Sequence, residues 1–461
     1  MYEIFRKKDI GFLKKARGNN KLERTLDLLD LLFIGLGAVI GTGIFVLIGV
    51  NAALVSGPAI SISFAISGIT CVFVALAYTE VAAALPSSGG SYTYTYVALG
   101  ELAAWIVGLS VIFQFVFCSS TVASGWSGYM AGLLSQCGII LPAAFVNTPF
   151  EGGIVDLPAF LVCASLTFVV CKGTNESSIL NIILVIIKLG AIFLFVILGS
   201  GYFDIKNWGS NLEEFMPYGF QGVTLAAGAL FLSYTGFDVV ANAAEESKNP
   251  ERDVTIALIG SILISMVLYV VVAMVLVGIS NYTDLNNKEP LAYALKMNGS
   301  PLGGTFIAIG CLFGMTAVVL VQIYGLSRVM MAMSRDRLLP KFLSKIHPKY
   351  RTPYLSTISV GIVMSLVSGF VPMKVMGDLS SLGTLVVLVF ITISAVRLRK
   401  LYPELKRPFK CPALWFIAPL ALLLCGYLIL SLLSSVGKIF ACYIITGIAL
   451  YFFYSHNKDL G

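Results

Sequence analysis

Two interruptions inside otherwise apolar segments constrain this chain more than any other feature. They are Gly35-Leu36-Gly37-Ala38-Val39-Ile40-Gly41-Thr42-Gly43-Ile44-Phe45 near the start and Ser233-Tyr234-Thr235-Gly236-Phe237-Asp238 near the middle. In hydrocarbon an unpaired peptide group costs several kcal/mol, so irregular backbone at membrane depth persists only where protein buries it or where it lines a hydrated cavity. Hydrophobic residues make up 57% of the 461 and charged residues only 12%, well under the roughly 25% charge of an average soluble domain. The chain therefore reads as an all-α integral membrane protein. Paired breaks in two corresponding halves point to a binding site between them.

Apolar stretches able to cross ~30 Å of hydrocarbon fall at about 28-50, 58-82, 97-134, 157-172, 176-201, 220-244, 254-279, 302-327, 353-372, 377-397, 412-433 and 435-454. This pattern predicts twelve spans, the third overlong with a tilt or kink near Ser119-Ser120 and the fourth short. With the N-terminus inside, 25 of the 31 Lys and Arg face the cytoplasm, counting the loop 328-352 among them, five face outward, and Lys188 lies within a span. That split obeys the positive-inside rule and places both termini in the cytoplasm. The net charge of +7 follows from it and requires no nucleic-acid partner, because basic residues in membrane-flanking loops are attracted by anionic lipid.

The basic tail is followed by a full-length span rather than a short apolar region with a cleavage site, which predicts an anchor and not a signal peptide. Most of the nine Cys fall within spans with no CxxC, a pattern of small apolar packing residues and not of a disulfide framework. Only His347 and His456 exist, both in predicted loops, so no metal-ligand cluster and no nucleophile-histidine pair is expected in the membrane. An enzyme is not expected. The longest loops, about 135-156, 202-219, 280-300 and 328-352, are too short to fold alone, so function must lie within the bundle.

Leu22-Glu23-Arg24-Thr25-Leu26 leading into the first interruption closely resembles the first helix of the amino acid-polyamine-organocation superfamily, especially its cationic-amino-acid-transporter-like branch. Other blocks agree in order: Glu80-Val81-Ala82-Ala83-Ala84-Leu85-Pro86 with Ser88-Gly89-Gly90-Ser91-Tyr92, Gly125-Trp126-Ser127-Gly128-Tyr129, Ala243-Ala244-Glu245-Glu246 with Asn249-Pro250, and Ala332-Met333-Ser334-Arg335-Asp336 with Leu338-Leu339-Pro340. The resemblance implies a leucine-transporter-type fold. Spans one to five (28-201) and six to ten (220-397) would form a five-plus-five inverted repeat with discontinuous helices one and six. Two accessory helices (412-454) would follow, between a cytoplasmic N-terminal tail (1-27) and a C-terminal tail (455-461).

An amino acid offers a carboxylate and an ammonium, and an interrupted helix offers free N–H groups on one side and free carbonyls on the other. The N–H groups around Gly41, Thr42 and Gly43 are assigned to the carboxylate, since glycines allow close approach and a half-helix begins there. Carbonyls near Val39, Ile40, Leu232, Ser233 and Thr235 are assigned to the ammonium. Glycines also permit tight helix packing in membranes, and for Gly35 and Gly37 that reading is equally good. Phe231, Tyr234 and Phe237 are candidates to cap the pocket. Gln322 fits a contact with the substrate side chain as well as it fits an interhelical amide.

Lys188 lies about halfway along the fifth span, where an unpaired ammonium would cost between ~3 and over 10 kcal/mol. In proton-coupled members of the superfamily a lysine on this helix occupies the place of sodium, which implies a coupling role; a permanent structural cation is the alternative. Asp238 follows the second break, where it fits either a helix cap or a gating and proton-network residue. Gln114 stands where several members carry an acid, a departure that weakens a proton path requiring a carboxylate on the third span and removes a partner for a cationic substrate. Glu80, Glu101, Glu245 and Glu246 read as solvated groups at span ends.

The expected function is secondary active transport of neutral L-amino acids by alternating access, with the proton as coupling ion, in a plasma membrane or bacterial inner membrane. No cofactor, metal or nucleic-acid partner is expected; the partners are the amino acid and the bilayer, and a small accessory membrane subunit is not readable from sequence. A proton-independent exchanger and a cationic amino acid or polyamine transporter stay open, as does a transport-inactive nutrient sensor. A channel is disfavoured by the sparse intramembrane charge.

Overall fold

The computed structural model describes residues 6–8, 24–287 and 289–455. Most of the basic tail, Lys288, and the C-terminal tail from 456 with His456 and Lys458 lie outside the described residues. What is described is helices and their connections, with one isolated bridge between Leu26 and Ser247. Helices dominate because an apolar segment can satisfy its own peptide groups only that way in lipid.

The first helix, α1 (Leu28–Val39), opens on a reciprocal cap: the Asp27 carboxylate accepts from the Asp30 N–H and that of Asp30 from the Asp27 N–H. Beyond a break the chain continues as wide, i→i+5 turns (Gly43–Leu47 and Ala52–Ser56) around a short α-turn (Ile48–Asn51). Gly57, at φ 68°, ends this run beside Pro58, and an added Cβ there would lie 2.4 Å from the Pro217 ring. The other helices that matter here are α2 (Ile60–Ala84), α3 (Gly90–Leu99), α4 (Glu101–Gln136), α5 (Leu157–Lys172), α6 (Thr174–Ser200), α7 (Gly219–Leu230), α8 (Pro250–Ile279), α9 (Pro290–Met297), α10 (Pro301–Arg335), α11 (Tyr354–Phe370), α12 (Met373–Leu401) and α13 (Leu414–Ser455). Among the described residues eight segments can cross a membrane by length and composition, and three shorter apolar helices accompany them. The first of the eight, Leu28–Ala84, runs 57 residues, far more than the ~20 that one crossing needs, and is divided at Gly57. The chain is a multi-pass membrane protein.

The first broken helix lies in the interior, with α6, α8 and α10 packed against α1, while α12 packs along α4 and α13. Along α13, Cys411 just before it donates its N–H to Glu80, whereas Phe440, Tyr443, Gly447 and Tyr451 descend beside Phe113, Leu109, Trp105 and Glu101. Glu80 and Glu101 close the same end of the bundle, and both ends of α13 meet it.

Several expectations need correction. The third apolar stretch is split by Gly100 (φ 107°), so the span starts at Glu101 and not at 97. It then runs unbroken through Ser119-Ser120, with Ser120 donating outward to the Met364 carbonyl on α11. Helix α10 continues to Arg335, so Arg328, counted as a loop residue, is fully buried inside it. The acids expected to be solvated are enclosed as well: Glu246 pairs with Arg328, Glu80 with Arg399 and Arg407, and Glu101 accepts from Tyr96 and Tyr451. Only Glu245, paired with a part-exposed Arg335, keeps substantial solvent contact.

Candidate functional site

Helical hydrogen bonding in α1 ends with the Ile40 N–H donating to Leu36 (3.1 Å), because Ile40 turns to an extended conformation. It resumes only where the N–H groups of Ile44 and Phe45 donate to the Gly41 carbonyl at 3.2 and 3.3 Å. The N–H groups of Gly41, Thr42 and Gly43 therefore head a new half-helix, where the positive end of the peptide dipoles emerges. The second break follows the same logic. The 3-10 turn Phe231–Tyr234 gives way to extended Thr235 and to Gly236 at φ 106°, and helical bonding resumes from Val239, whose N–H donates to the Gly236 carbonyl (3.1 Å).

The two breaks touch. A Cβ on Gly236 would lie 2.8 Å from Gln322 Nε2 and 3.1 Å from the Ala38 carbonyl oxygen, and one on Gly43 would lie 2.7 Å from the Ser233 Cα. Only a hydrogen side chain fits between the strands of unwound backbone. Tyr269, from α8, ties them together: its hydroxyl is shared between the carbonyls of Val39 (2.8 Å) and Ser233 (2.9 Å). Tyr234 and Phe64 pack on its ring.

The residues assigned to substrate binding and coupling lie on or beside the breaks and are buried: Val39, Ile40, Gly41, Thr42 and Gly43 on the first break, Phe231, Leu232, Ser233, Thr235 and Asp238 on the second, and Gln114, Lys188 and Gln322 on α4, α6 and α10. Lys188 Nζ donates to the carbonyls of Leu36 (2.8 Å), Gly37 (3.0 Å) and Ile40 (2.8 Å). The Leu36 carbonyl is the last helical acceptor of α1 and those of Gly37 and Ile40 lie beyond it, so the ammonium occupies the negative end of that half-helix with all three donors used. Asp238 stands first in the second half-helix but does not cap it; its carboxylate accepts from Gln114 Nε2 at 3.2 and 3.4 Å. Gln322 Nε2 reaches Cys118 Sγ at 3.6 Å. Around the breaks, Thr42 Oγ1, Ser233 Oγ, Gln322 Oε1 and Gln114 Oε1 are buried with no partner among the described residues.

A family model described as amino acid permease matches residues 26–458. The chain belongs to the amino acid permease family. Over 463 residues, covering 99% of this permease and 98% of the relative, it is 41% identical to the branched-chain amino acid permease BcaP of Bacillus subtilis. It is 37% identical over 462 residues to the methylthioribose transporter of the same organism, covering 100% of this chain and 99% of the relative. With cationic amino acid transporter 1 of Arabidopsis thaliana it shares 34% identity over 388 residues, 84% of this chain and 64% of that one. The relatives are transporters, not enzymes.

Two features of the permease escaped the sequence reading. Tyr269 carries a polar tip within Met266-Val267-Leu268-Tyr269-Val270-Val271, and a hydroxyl there was the signal that a backbone acceptor lay nearby. At the end of the bundle closed by Glu80 and Glu101, Glu246 Oε1 accepts from both Arg328 Nε and Tyr324 Oη at 2.8 Å, with the guanidinium carbon 3.6 Å from the Tyr324 ring centre. Nearby, Lys8 and Tyr92 donate to Asp336, and Leu26 and Lys248 link the two chain segments through backbone bonds at 3.0 and 2.9 Å. These contacts tie the segments at this end of the permease together.

Proposed function

We propose that this permease is a proton-coupled symporter of neutral L-amino acids with twelve spans, the leucine-transporter-type inverted repeat (28-201 and 220-397), two accessory helices at 412-454 and both termini cytoplasmic. The observation that carries this reading is the meeting of two broken helices around buried polar atoms that have no partner of their own. A buried polar atom left unpaired costs ~1–3 kcal/mol, and a ligand with both a carboxylate and an ammonium would satisfy several at once. The carboxylate would take the N–H groups of Gly41, Thr42 and Gly43; the ammonium would take spare lone pairs on the carbonyls of Val39, Ile40, Leu232, Ser233 and Thr235. Val39 and Ser233 keep one lone pair beside Tyr269, and Ile40 one beside Lys188. Gln322 and Phe231 would then face the substrate side chain.

Neutral side chains are favoured because the acid at the breaks, Asp238, is engaged by Gln114, which leaves no carboxylate to neutralise a cationic side chain. The end tied by the Glu246, Glu80 and Asp336 pairs would be the cytoplasmic one, and alternating access would open each end in turn. The experiment is uptake into proteoliposomes of a twenty-amino-acid panel under an imposed pH gradient. Accumulation of neutral members supports the reading; competition by Arg, Lys or ornithine alone refutes the pocket assignment. A second reading is carried by the full-length similarity to a transporter named for methylthioribose: hydroxyl groups of a thiosugar would suit the same unpartnered oxygens, and including methylthioribose in the panel decides between them.

A further inference from the structure

The block Gly125-Trp126-Ser127-Gly128-Tyr129 on α4 grips the half-helix that follows the first break. Gly125 and Tyr129 lie one turn apart on one face of α4. A Cβ on Gly125 would lie 3.2 Å from Thr42 Cγ2 and 3.3 Å from Met315 Sδ, so the missing side chain lets α4 meet the head of the half-helix. Tyr129 is fully buried, and its hydroxyl donates to the Phe45 carbonyl at 2.7 Å. Trp126 reaches α10, where its Nε1 donates to Thr316 Oγ1 at 3.0 Å and Thr316 donates on to the Leu312 carbonyl at 2.8 Å. The Phe45 ring is keyed into α10 as well: a Cβ on Gly314 would lie 2.7 Å from Phe45 Cε2 and 3.0 Å from the Cβ of Lys188.

What α4 and α10 hold between them is a wide turn. Over Gly43–Leu47 the chain winds in i→i+5 register, and the Ile48 N–H reaches back five residues to the Gly43 carbonyl. Such turns are rare, run for a single turn and recur at functional sites. Closing this one to the α register would take one residue out of it. The N–H groups of Gly41, Thr42 and Gly43 would then rotate by about 100° against the rest of the half-helix. The Phe45 carbonyl stands in the middle of the turn, so a donor placed there acts on its register.

We propose that Tyr129 is a positioning residue for substrate recognition: its hydroxyl, bonded to Phe45, holds the wide turn and so aims the N–H groups of Gly41, Thr42 and Gly43 at the substrate carboxylate. Tyr129 acts through Phe45 and not by touching the substrate, while Gly125 and Trp126 set α4 at the distance this bond requires. Without the hydroxyl the Phe45 carbonyl loses its side-chain donor, the α register gains, and the carboxylate meets misaligned donors. The carbonyls of Val39 and Ser233, which would hold the ammonium, lie outside the turn and keep their places. The role rests on the reading that a carboxylate occupies the first break.

The test is a calorimetric titration of the detergent-purified permease at about pH 6, below the α-amino pKa, with the best-bound neutral amino acid of the uptake panel and with its carboxamide. Tyr129→Phe removes one oxygen and keeps the ring. It should weaken the amino acid at least about fivefold and the carboxamide far less, so that the ratio of the two affinities falls. Tyr94→Phe is the control: it removes a hydroxyl that is buried with no partner among the described residues, and it should keep the wild-type ratio. An unchanged ratio in Tyr129→Phe overturns the role even if both affinities drop, since an equal drop marks a hydroxyl that only stabilises the fold. A ratio that falls as far in Tyr94→Phe overturns it too. Equal affinities in the wild type, or no amino acid bound, refute the carboxylate reading and the role with it; unequal wild-type affinities with an unchanged Tyr129→Phe ratio refute the role alone.

Discussion

The middle of this permease and its Glu80 end treat buried charge in opposite ways. At the Glu80 end three acids are locked to cations, Glu246 to a fully buried Arg328, Glu80 to Arg399 and Arg407, and Asp336 to Lys8, while Glu101 accepts from two tyrosines. At the centre Lys188 faces three carbonyls and Asp238 faces an amide. An ion pair fixes the protonation of both members, since removing one strands the other at a cost of ~3–5 kcal/mol. A charge held by dipoles can lose or gain a proton without stranding an opposite charge. The difference separates what clamps this molecule from what can change during a cycle.

The largest effect expected is at Lys188. Lys188→Ala leaves the carbonyls of Leu36, Gly37 and Ile40 without their donor, so pH-driven accumulation should drop to the level of protein-free liposomes while the protein still inserts; in wild type, choline should replace sodium without loss of uptake. Sodium dependence, or normal accumulation by Lys188→Ala, would break the comparison at its centre. At the clamped end, Arg328→Met should cost ~3–5 kcal/mol by stranding Glu246, and the double change Glu246→Leu with Arg328→Met should recover most of it. Thermal unfolding in detergent reads both, and a double variant as weak as the single one would show that the pair is no simple clamp. Tyr269→Phe removes the hydroxyl shared by the two breaks and should weaken substrate binding by ~1–3 kcal/mol in a calorimetric titration, with little effect on insertion. The smallest effect belongs to Lys406, whose pair with Glu251 is largely exposed; Lys406→Ala should change stability by no more than ~0.5 kcal/mol.

Much of the architecture was legible because lipid enforces it. Long apolar segments must be helices, and glycine-rich breaks within them must be buried in protein, so the convergence of Gly41, Thr42, Gly43, Ser233, Gly236 and Lys188 could be anticipated. What stayed hidden depends on neighbours distant in sequence. Arg328 reads as a loop residue until Glu246, 82 positions earlier, is brought against it. Gly100 ends one helix and starts another through its backbone angle, which composition does not announce. Gly43 carried a double meaning that sequence could not resolve: besides heading a half-helix, it is the point where Ser233 backbone comes closest.

That closeness decides how the central claim is tested. Gly43→Val would strike the second broken helix and Gly35→Ala the Ser261 side chain, 2.7 Å from a new Cβ, so neither separates recognition from packing. A change in the ligand does. The measurement is the affinity of detergent-purified permease for the best-bound amino acid of the panel against that of its carboxamide. If the carboxylate sits on the N–H groups of Gly41, Thr42 and Gly43, the neutral amide should bind at least about tenfold more weakly, ~1.4 kcal/mol or more, because half-helix dipoles and charge-assisted hydrogen bonds favour the ionised group. Equal affinities would contradict the account and move the carboxylate away from the first break.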